Sequence, residues 1–403
     1  MDRRDFIKLT GLSSLPLLMP GLVFGGGKGA AGRDLLIIVF QRGAADGLNL
    51  VVPYTEGHYY DARPTVAIAD PGSNGGALDL DGFFGFHPQM QPLMPLYQSG
   101  DLAVVHAAGS PSDSRSHFDA QDFMEAGVVE KGSAYDGWLN RHLQTLGGGE
   151  GESPFQAVGF GQSLPVSLRG SIPAVGVAQL EDYGLVAPVA EEAALREAVV
   201  KLFSSQGAID QVAGGVLDSV DLMAAADPLS IPVDNGALYP ETVFGNQMQG
   251  LAKLIKADLG LEIAAVDIGG WDHHDLENEE LPDLTADFAG SLAAFHADLG
   301  GMMDNITVIT MTEFGRRLAE NGNRGTDHGH GSIMLTMGGG VNGGQVYADW
   351  PGLAPADLNR GDLEVTTDFR SVLSEALVKR LGQSSIETVF PDFSGPTDLG
   401  VFR

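Results

Sequence analysis

Leu35-Leu36-Ile37-Ile38-Val39-Phe40 is an unbroken apolar run, and it stops at the polar, glycine-containing stretch Gln41-Arg42-Gly43-Ala44-Ala45-Asp46-Gly47-Leu48-Asn49. A strand that is apolar on both faces is the kind buried inside a parallel sheet, where helices cover both sides. The pattern recurs over 102–106, 261–268, 306–311 and 332–337, each run bordered by polar or glycine-rich residues. Helical spacing of three and four falls between these runs, over 88–98, from 137 onward, over 190–226 and 241–259, over 284–300 and over 366–381. Strands alternating with helices predict a single α/β domain, residues 33–403, with a mainly parallel sheet flanked by helices. Residues 61–86 read as an irregular excursion with short strands, and 155–177 as further short strands. The histidine-free section around 185–260 reads as a helical insertion.

The chain has 403 residues, enough for one large α/β domain, and 43% hydrophobic content, enough for a real core. Its formal charge of −30 repels nucleic acid and anionic membrane surfaces, so neither is an expected partner. The same charge reads as a solvated acidic surface. With no Cys, disulfides, thiolate ligands and Cys nucleophiles are excluded. A metal would have to be held by imidazole, carboxylate, hydroxyl or backbone oxygen, which suits Zn, Mn, Mg or Ca.

The amino terminus reads as an address. Asp2-Arg3-Arg4-Asp5-Phe6-Ile7-Lys8 precedes an apolar run over 9–24 that Pro16 and Pro20 interrupt, and a Gly-rich tract follows over 25–32. A twin Arg before a modest apolar stretch is the pattern of a Tat export signal. Residues 1–32 are therefore expected to be signal and linker, the Tat translocase a partner during export, and the mature chain periplasmic or secreted without a stable membrane anchor.

Candidate chemistry clusters after the predicted strands. Gly270-Trp271-Asp272-His273-His274-Asp275 follows one, Thr312-Glu313-Phe314-Gly315-Arg316-Arg317 another, and Gly325-Thr326-Asp327-His328-Gly329-His330-Gly331 precedes a third. In open α/β sheets ligands bind at the carboxyl edge of the strands. Asp272, His274, Glu313, Asp327, His328 and His330 are thus candidate ligands for one or two divalent ions, or else members of a hydrogen-bonded loop network without metal. Arg42 and Asp46 follow the first strand and are candidate site residues, Asp46 as a further metal ligand, or else a surface Arg beside an Asp-Gly turn. Ser116 with Asp119 makes a capping box, and the same position offers a hydroxyl at a helix N-terminus, where negative charge is favoured. His117 adjoins Ser116 and is with it a candidate catalytic residue, whereas His58, His87, His106, His142 and His296 stand alone and read as core or surface residues. The glycine loop 338–344 lacks the P-loop pattern and reads as a tight turn.

The twin-Arg start, Arg42-Gly43-Ala44-Ala45-Asp46-Gly47-Leu48, Ser114-Arg115-Ser116-His117-Phe118-Asp119-Ala120-Gln121, Gly137-Trp138-Leu139-Asn140-Arg141, Gly269-Gly270-Trp271-Asp272-His273-His274, Thr312-Glu313-Phe314-Gly315-Arg316 and Thr326-Asp327-His328-Gly329-His330-Gly331 together resemble domain-of-unknown-function family 1501, a family of Tat-exported bacterial proteins. That family is in turn similar to the alkaline phosphatase and sulfatase superfamily. The resemblance implies a doubly wound α/β fold with metals at the carboxyl edge of the sheet. It places Ser116 or Ser114 at the nucleophile, Asp272 and His274 near the first Asp/His ligand pair, and His328 or His330 at a later His ligand. The chain departs from the superfamily in two places. Gln41-Arg42 stands where an Asp is expected, and Glu313-Phe314-Gly315 stands where Asp-His-Gly is expected. Arg42 and Arg316 would then replace lost metal charge and grip an anionic group.

Two functions follow as expectations. One is an exported, metal-dependent hydrolase of phosphate or sulfate esters, with Ser116 attacking and Arg42 orienting a small anionic substrate. The other is a non-catalytic exported protein that keeps the fold to bind a ligand or partner, which Phe314 favours because its side chain cannot ligate.

Overall fold

The computed structural model describes residues 34–403 apart from 133, 148–152, 185–193, 199–200 and 202–207. The twin-Arg leader, residues 148–152 and part of the helical insertion lie outside the described residues. Strand β1 (Leu35–Gln41) leads into a small antiparallel sheet of β2 (Val51–Val52), β3 (Leu78–Asp79) and β4 (Gly85–Phe86). β5 (Leu102–Gly109), β6 (Ala157–Phe160), β7 (Val175–Val177), β8 (Ile263–Ile268) and β9 (Ile306–Met311) follow. A hairpin of β10 (Arg316–Glu320) and β11 (Thr326–His328) comes next, then β12 (Ser332–Gly338), β13 (Val346–Tyr347) and β14 (Thr367–Asp368).

The main sheet has the order β13-β5-β12-β9-β1-β8-β6-β7, with β14 also paired to β5. β1 lies between β8 and β9 and runs parallel to both. All seven of its residues are buried, as the unbroken apolar run requires. Leu35, Ile37 and Val39 point into one core, and Leu36, Ile38 and Phe40 into the other. The two-residue period of a strand thus fills both faces at once. Helices α3 (Val243–Lys256) and α4 (Glu277–Leu299) cover the first face through Phe244, Met248, Leu251, Phe288 and Phe295. Helices α2 (Trp138–Thr145) and α5 (Phe369–Leu381) cover the second through Trp138, Leu139, Phe369 and Leu373. Each such side chain contributes about 1.5–3 kcal/mol on burial. The result is the expected three-layer, doubly wound α/β architecture.

β12 alone in the main sheet runs against its neighbours, antiparallel to both β5 and β9. Its beginning therefore lies at the same edge as the ends of β1, β5, β8 and β9. Five chain segments meet there, and that edge carries the site.

Three expectations need correction. The helix predicted over 284–300 begins at Glu277 and runs through Pro282. Proline argues for a later start, but Glu277 accepts hydrogen bonds from Asn49 and Thr326 in the interior, which holds the first turn in place. The helix predicted over 88–98 is a 3-10 segment, Pro88–Leu93, continued by an α-helix, Met94–Ser99. The stretches around Glu313–Arg317 and Asp327–His330 read as separate loops, but they are joined by a hairpin that pairs Arg316 with His328. Among the described residues no helix is long and apolar enough to cross a membrane.

Candidate metal centre

Ser116 caps the ten-residue helix α1 (His117–Ala126), its Oγ accepting from the Asp119 amide. His117, at the first position of α1, meets the loops after β8 and β9 and the end of β11. His117 Nε2 lies 3.0 Å from His328 Nε2 and 3.4 Å from Asp272 Oδ2, and His328 Nε2 lies 3.1 Å from Asp272 Oδ1. His274 Nε2 adjoins the same point, 2.9 Å from His328 Nε2 and 3.1 Å from Asp272 Oδ1.

The other ring nitrogen of each histidine is already engaged. His117 Nδ1 is 2.7 Å from Glu313 Oε1, His274 Nδ1 is 3.1 Å from Asp327 Oδ1, and His328 Nδ1 is 2.9 Å from the Arg115 carbonyl oxygen. These partners are acceptors, so each Nδ1 carries the hydrogen and each neutral imidazole turns a bare Nε2 lone pair inward. Three lone pairs and a carboxylate facing one another repel unless a cation sits among them. Ligating histidines are commonly held by a carboxylate or carbonyl in this way.

The spacing fits as well. Donors arranged tetrahedrally at about 2.0–2.1 Å from an ion are about 3.3 Å apart, against the 3.0, 3.1 and 3.4 Å found here. Among the described residues, His117, Asp272 and His328 form the group with metal-ligating atoms mutually in range. Two imidazoles and a carboxylate, with a third imidazole beside them, suit Zn or Mn better than Mg or Ca.

The supports are buried. Glu313 Oε1 accepts from the Gly43 amide at 2.9 Å and from Gln121 Nε2 at 2.8 Å, as well as from His117. Burial alone would raise its carboxyl, but these bonds outweigh it and hold the group below the usual range. Contact with Glu313 in turn raises His117. Without a metal, a proton on His117 gives its Nε2 a hydrogen to donate into the cluster. Burial lowers His328. Burial also acts to raise Asp272, but the Arg316 guanidinium and His328 overcome it and hold the carboxylate low.

Arg316 is the anchor of this edge. Its side chain is fully buried and donates to the carbonyls of Ala44, Gly43, Trp271 and Thr326 and to Asp272. One guanidinium thereby fastens the β1 loop, the β8 loop and the hairpin together. Gly43 makes the close approach possible. It has φ +121°, and a Cβ there would sit 2.7 Å from the Asp272 amide nitrogen. Phe314 is buried beneath the cluster, its ring 5.1 Å from that of His117 and 5.0 Å from that of His328. It gives the centre an apolar floor.

The structure brings His117, Asp272, His274 and His328 to one point. It sets Glu313 and Asp327 one step behind, as partners of His117 and His274. Asp46 is not among them, because both its oxygens are held by buried Arg63 and Oδ1 caps the turn at Leu48 and Asn49. His330 is also elsewhere, buried with Nε2 on the Ser110 carbonyl. Arg42 is not turned to a substrate; it pairs with Glu125 and Asp267 and donates to Gln121. Arg316 is likewise committed to internal oxygens. Ser116 is exposed beside His117, and Ser114 Oγ accepts from the Ser116 amide. Gln121 was missed in the sequence. It lies four residues after His117 on α1, the spacing that puts both on one helix face.

The sequence profile of a family described as a protein of unknown function (DUF1501) matches residues 33–368. No curated protein is recognisably similar in sequence. Among solved structures, a protein in the alkaline phosphatase superfamily from Vibrio parahaemolyticus is 13% identical with a TM-score of 0.35, over 87% of this chain and 72% of that one. The C-terminal periplasmic domain of EcEptC from Escherichia coli is 10% identical with a TM-score of 0.37, over 94% and 92%. Alkaline phosphatase from the Antarctic bacterium TAB5 is 8% identical with a TM-score of 0.32, over 78% and 95%. Likenesses this loose say nothing about the activity of this chain.

Proposed function

The chain belongs to the DUF1501 family of proteins of unknown function, and from that premise we propose that it is a divalent-metal-dependent hydrolase of phosphate or sulfate esters. One observation carries the reading: three imidazoles, each with Nδ1 on an oxygen, turn their Nε2 atoms toward the Asp272 carboxylate. His117, Asp272 and His328, with His274 beside them, would hold the ion. A divalent cation bound there supplies Lewis-acid stabilisation of the charge on an ester's equatorial oxygens.

The chain's own residues supply the rest. Ser116 Oγ is the proposed nucleophile, exposed at the N-terminus of α1 next to His117. It forms a bond to phosphorus or sulfur as the ester oxygen leaves with a proton, and water then displaces the seryl group and returns the proton to Oγ. The positive end of the α1 dipole favours the anionic group. Arg316 and Glu313 act at a distance, holding Asp272 and His117 in place. The twin-Arg start supports export through the Tat translocase to the periplasm or beyond.

The test is turnover of a phosphate- and sulfate-ester panel by protein loaded with Zn²⁺ or Mn²⁺, with Ser116→Ala as control. Metal-dependent turnover abolished by the substitution is expected. A metal-binding chain with no turnover on any ester contradicts the proposal. A second reading, a non-catalytic exported protein that binds a ligand or partner, is favoured by one observation. Arg42 and Arg316 both use their guanidinium groups on protein oxygens, so neither is presented to an anion.

A further inference from the structure

The four groups at the centre are not held alike. His117 is fixed by Glu313, whose side chain is fully buried and also bonded to Gly43 and Gln121. Asp272 is fixed by Arg316, also fully buried, and His328 by a backbone carbonyl. His274 differs. The difference lies in the support and not in the ligating side chain, since Asp272 is 46% exposed and His274 40%, whereas the partner of His274, Asp327, is 56% exposed. Asp327 is steadied in turn by Asn321 Nδ2, 3.1 Å from the same Oδ1. The asymmetry has a chemical meaning, because a metal centre that reacts keeps one position for substrate whereas a structural centre is closed by four protein ligands. Three rigid supports and one surface-held pair are what an open position requires.

Resting on the metal-dependent reading above, we propose that His274, oriented by Asp327, is a substrate-side residue and not an obligatory metal ligand. His117, Asp272 and His328 hold the ion by themselves. Asp327 keeps the hydrogen of His274 on Nδ1, and the Nε2 lone pair accepts a hydrogen bond from the water that completes hydrolysis. This aims the water oxygen at the phosphorus or sulfur. Asp327 is a positioning residue, acting on the reaction only through the imidazole.

Zinc titration of four variants tests the assignment without depending on turnover. His274→Ala and Asp327→Ala are expected to bind one Zn²⁺ per chain within about tenfold of the wild-type affinity, the lower end of what outer groups contribute. His117→Ala and His328→Ala are expected to lose more than about 100-fold, beyond that range. Zinc-loaded His274→Ala should turn over 4-nitrophenyl phosphate or sulfate about 100-fold or more slowly. Added imidazole should restore part of the rate, because the vacated site is open to solvent.

Loss of zinc by His274→Ala as severe as that of His328→Ala overturns the assignment and leaves the metal reading standing. Retained zinc with unchanged turnover also overturns it. A wild-type chain that binds no zinc overturns the metal reading itself, and this assignment falls with it.

Discussion

Replacing Glu313 tests how the centre is built, because its carboxylate joins three chain segments behind His117. Oε1 accepts from His117 Nδ1, the Gly43 amide and Gln121 Nε2 at 2.7, 2.9 and 2.8 Å, and Oε2 accepts from Thr312 Oγ1 at 3.1 Å. Hydrogen bonds to a charged group are worth about 1.5–3 kcal/mol each. Relief of the buried charge offsets part of their loss. Glu313→Ala is therefore expected to cost about 3–5 kcal/mol, the range for removing one partner of a buried charged contact. Glu313→Gln keeps an acceptor for the three donors and leaves an amide against Thr312, so it should cost no more than about half as much. Glu313→Ala frees His117 to rotate or to change tautomer and Glu313→Gln holds it by a neutral acceptor in place of a charged one, so both should weaken zinc binding, by about 10–100-fold. Urea denaturation of the metal-free protein gives the stability, and competition with a chromophoric chelator gives the affinity. Zinc affinity equal to wild type in both variants would refute the reasoning, since His117 would then not be the ligand that Glu313 sets.

Gly43→Ala should destabilise the chain and weaken zinc binding together, because the left-handed φ disfavours a side chain and the added Cβ presses on the Asp272 amide; denaturation and metal titration on one sample check this. Zinc affinity should fall as pH drops through about 6.5, where free imidazoles protonate and compete with the metal. A flat profile between pH 5.5 and 7.5 in calorimetric titrations, about one unit either side of that value, would count against histidine ligation. Glu277 is raised well above the ordinary range, by burial first and then by the neighbouring Asp46 carboxylate. The unfolded chain therefore loses this proton first, and wild-type stability declines as pH rises above about 4.3 toward the folded value. Glu277→Gln lacks that loss, so its stability relative to wild type should improve steadily above about pH 4.3, as read by thermal melts across pH. Asp272 and Glu313 work in the opposite direction. Both are held low, so their stabilisation is present at neutral pH and is lost as pH falls below about 4.

The fold was legible because β1, β5, β8, β9 and β12 are apolar on both faces, which few arrangements other than a covered sheet permit. The edge at which Asp272, His274 and His328 gather followed from the same reading. The direction of a long polar side chain was not legible. Arg42 and Arg316 sit in loops at a candidate site, where sequence suggests a grip on an anion. Each instead finds buried oxygens supplied by segments more than forty residues away. Asp46 was misplaced for the same reason, since Arg63 lies beyond the next turn and nothing local marks the pair. His117 drew notice only through Ser116, because a lone histidine at a helix start carries no ligand spacing. Its partners come from β11 and the loops after β8 and β9, which only the sheet order brings together.

One divalent cation is expected among His117, Asp272 and His328. Anomalous scattering at the zinc edge from zinc-loaded crystals tests it most directly. A single peak about 2.0–2.2 Å from His117 Nε2, His328 Nε2 and an Asp272 oxygen is the predicted result. No peak, or a peak bound only by other residues, would contradict it.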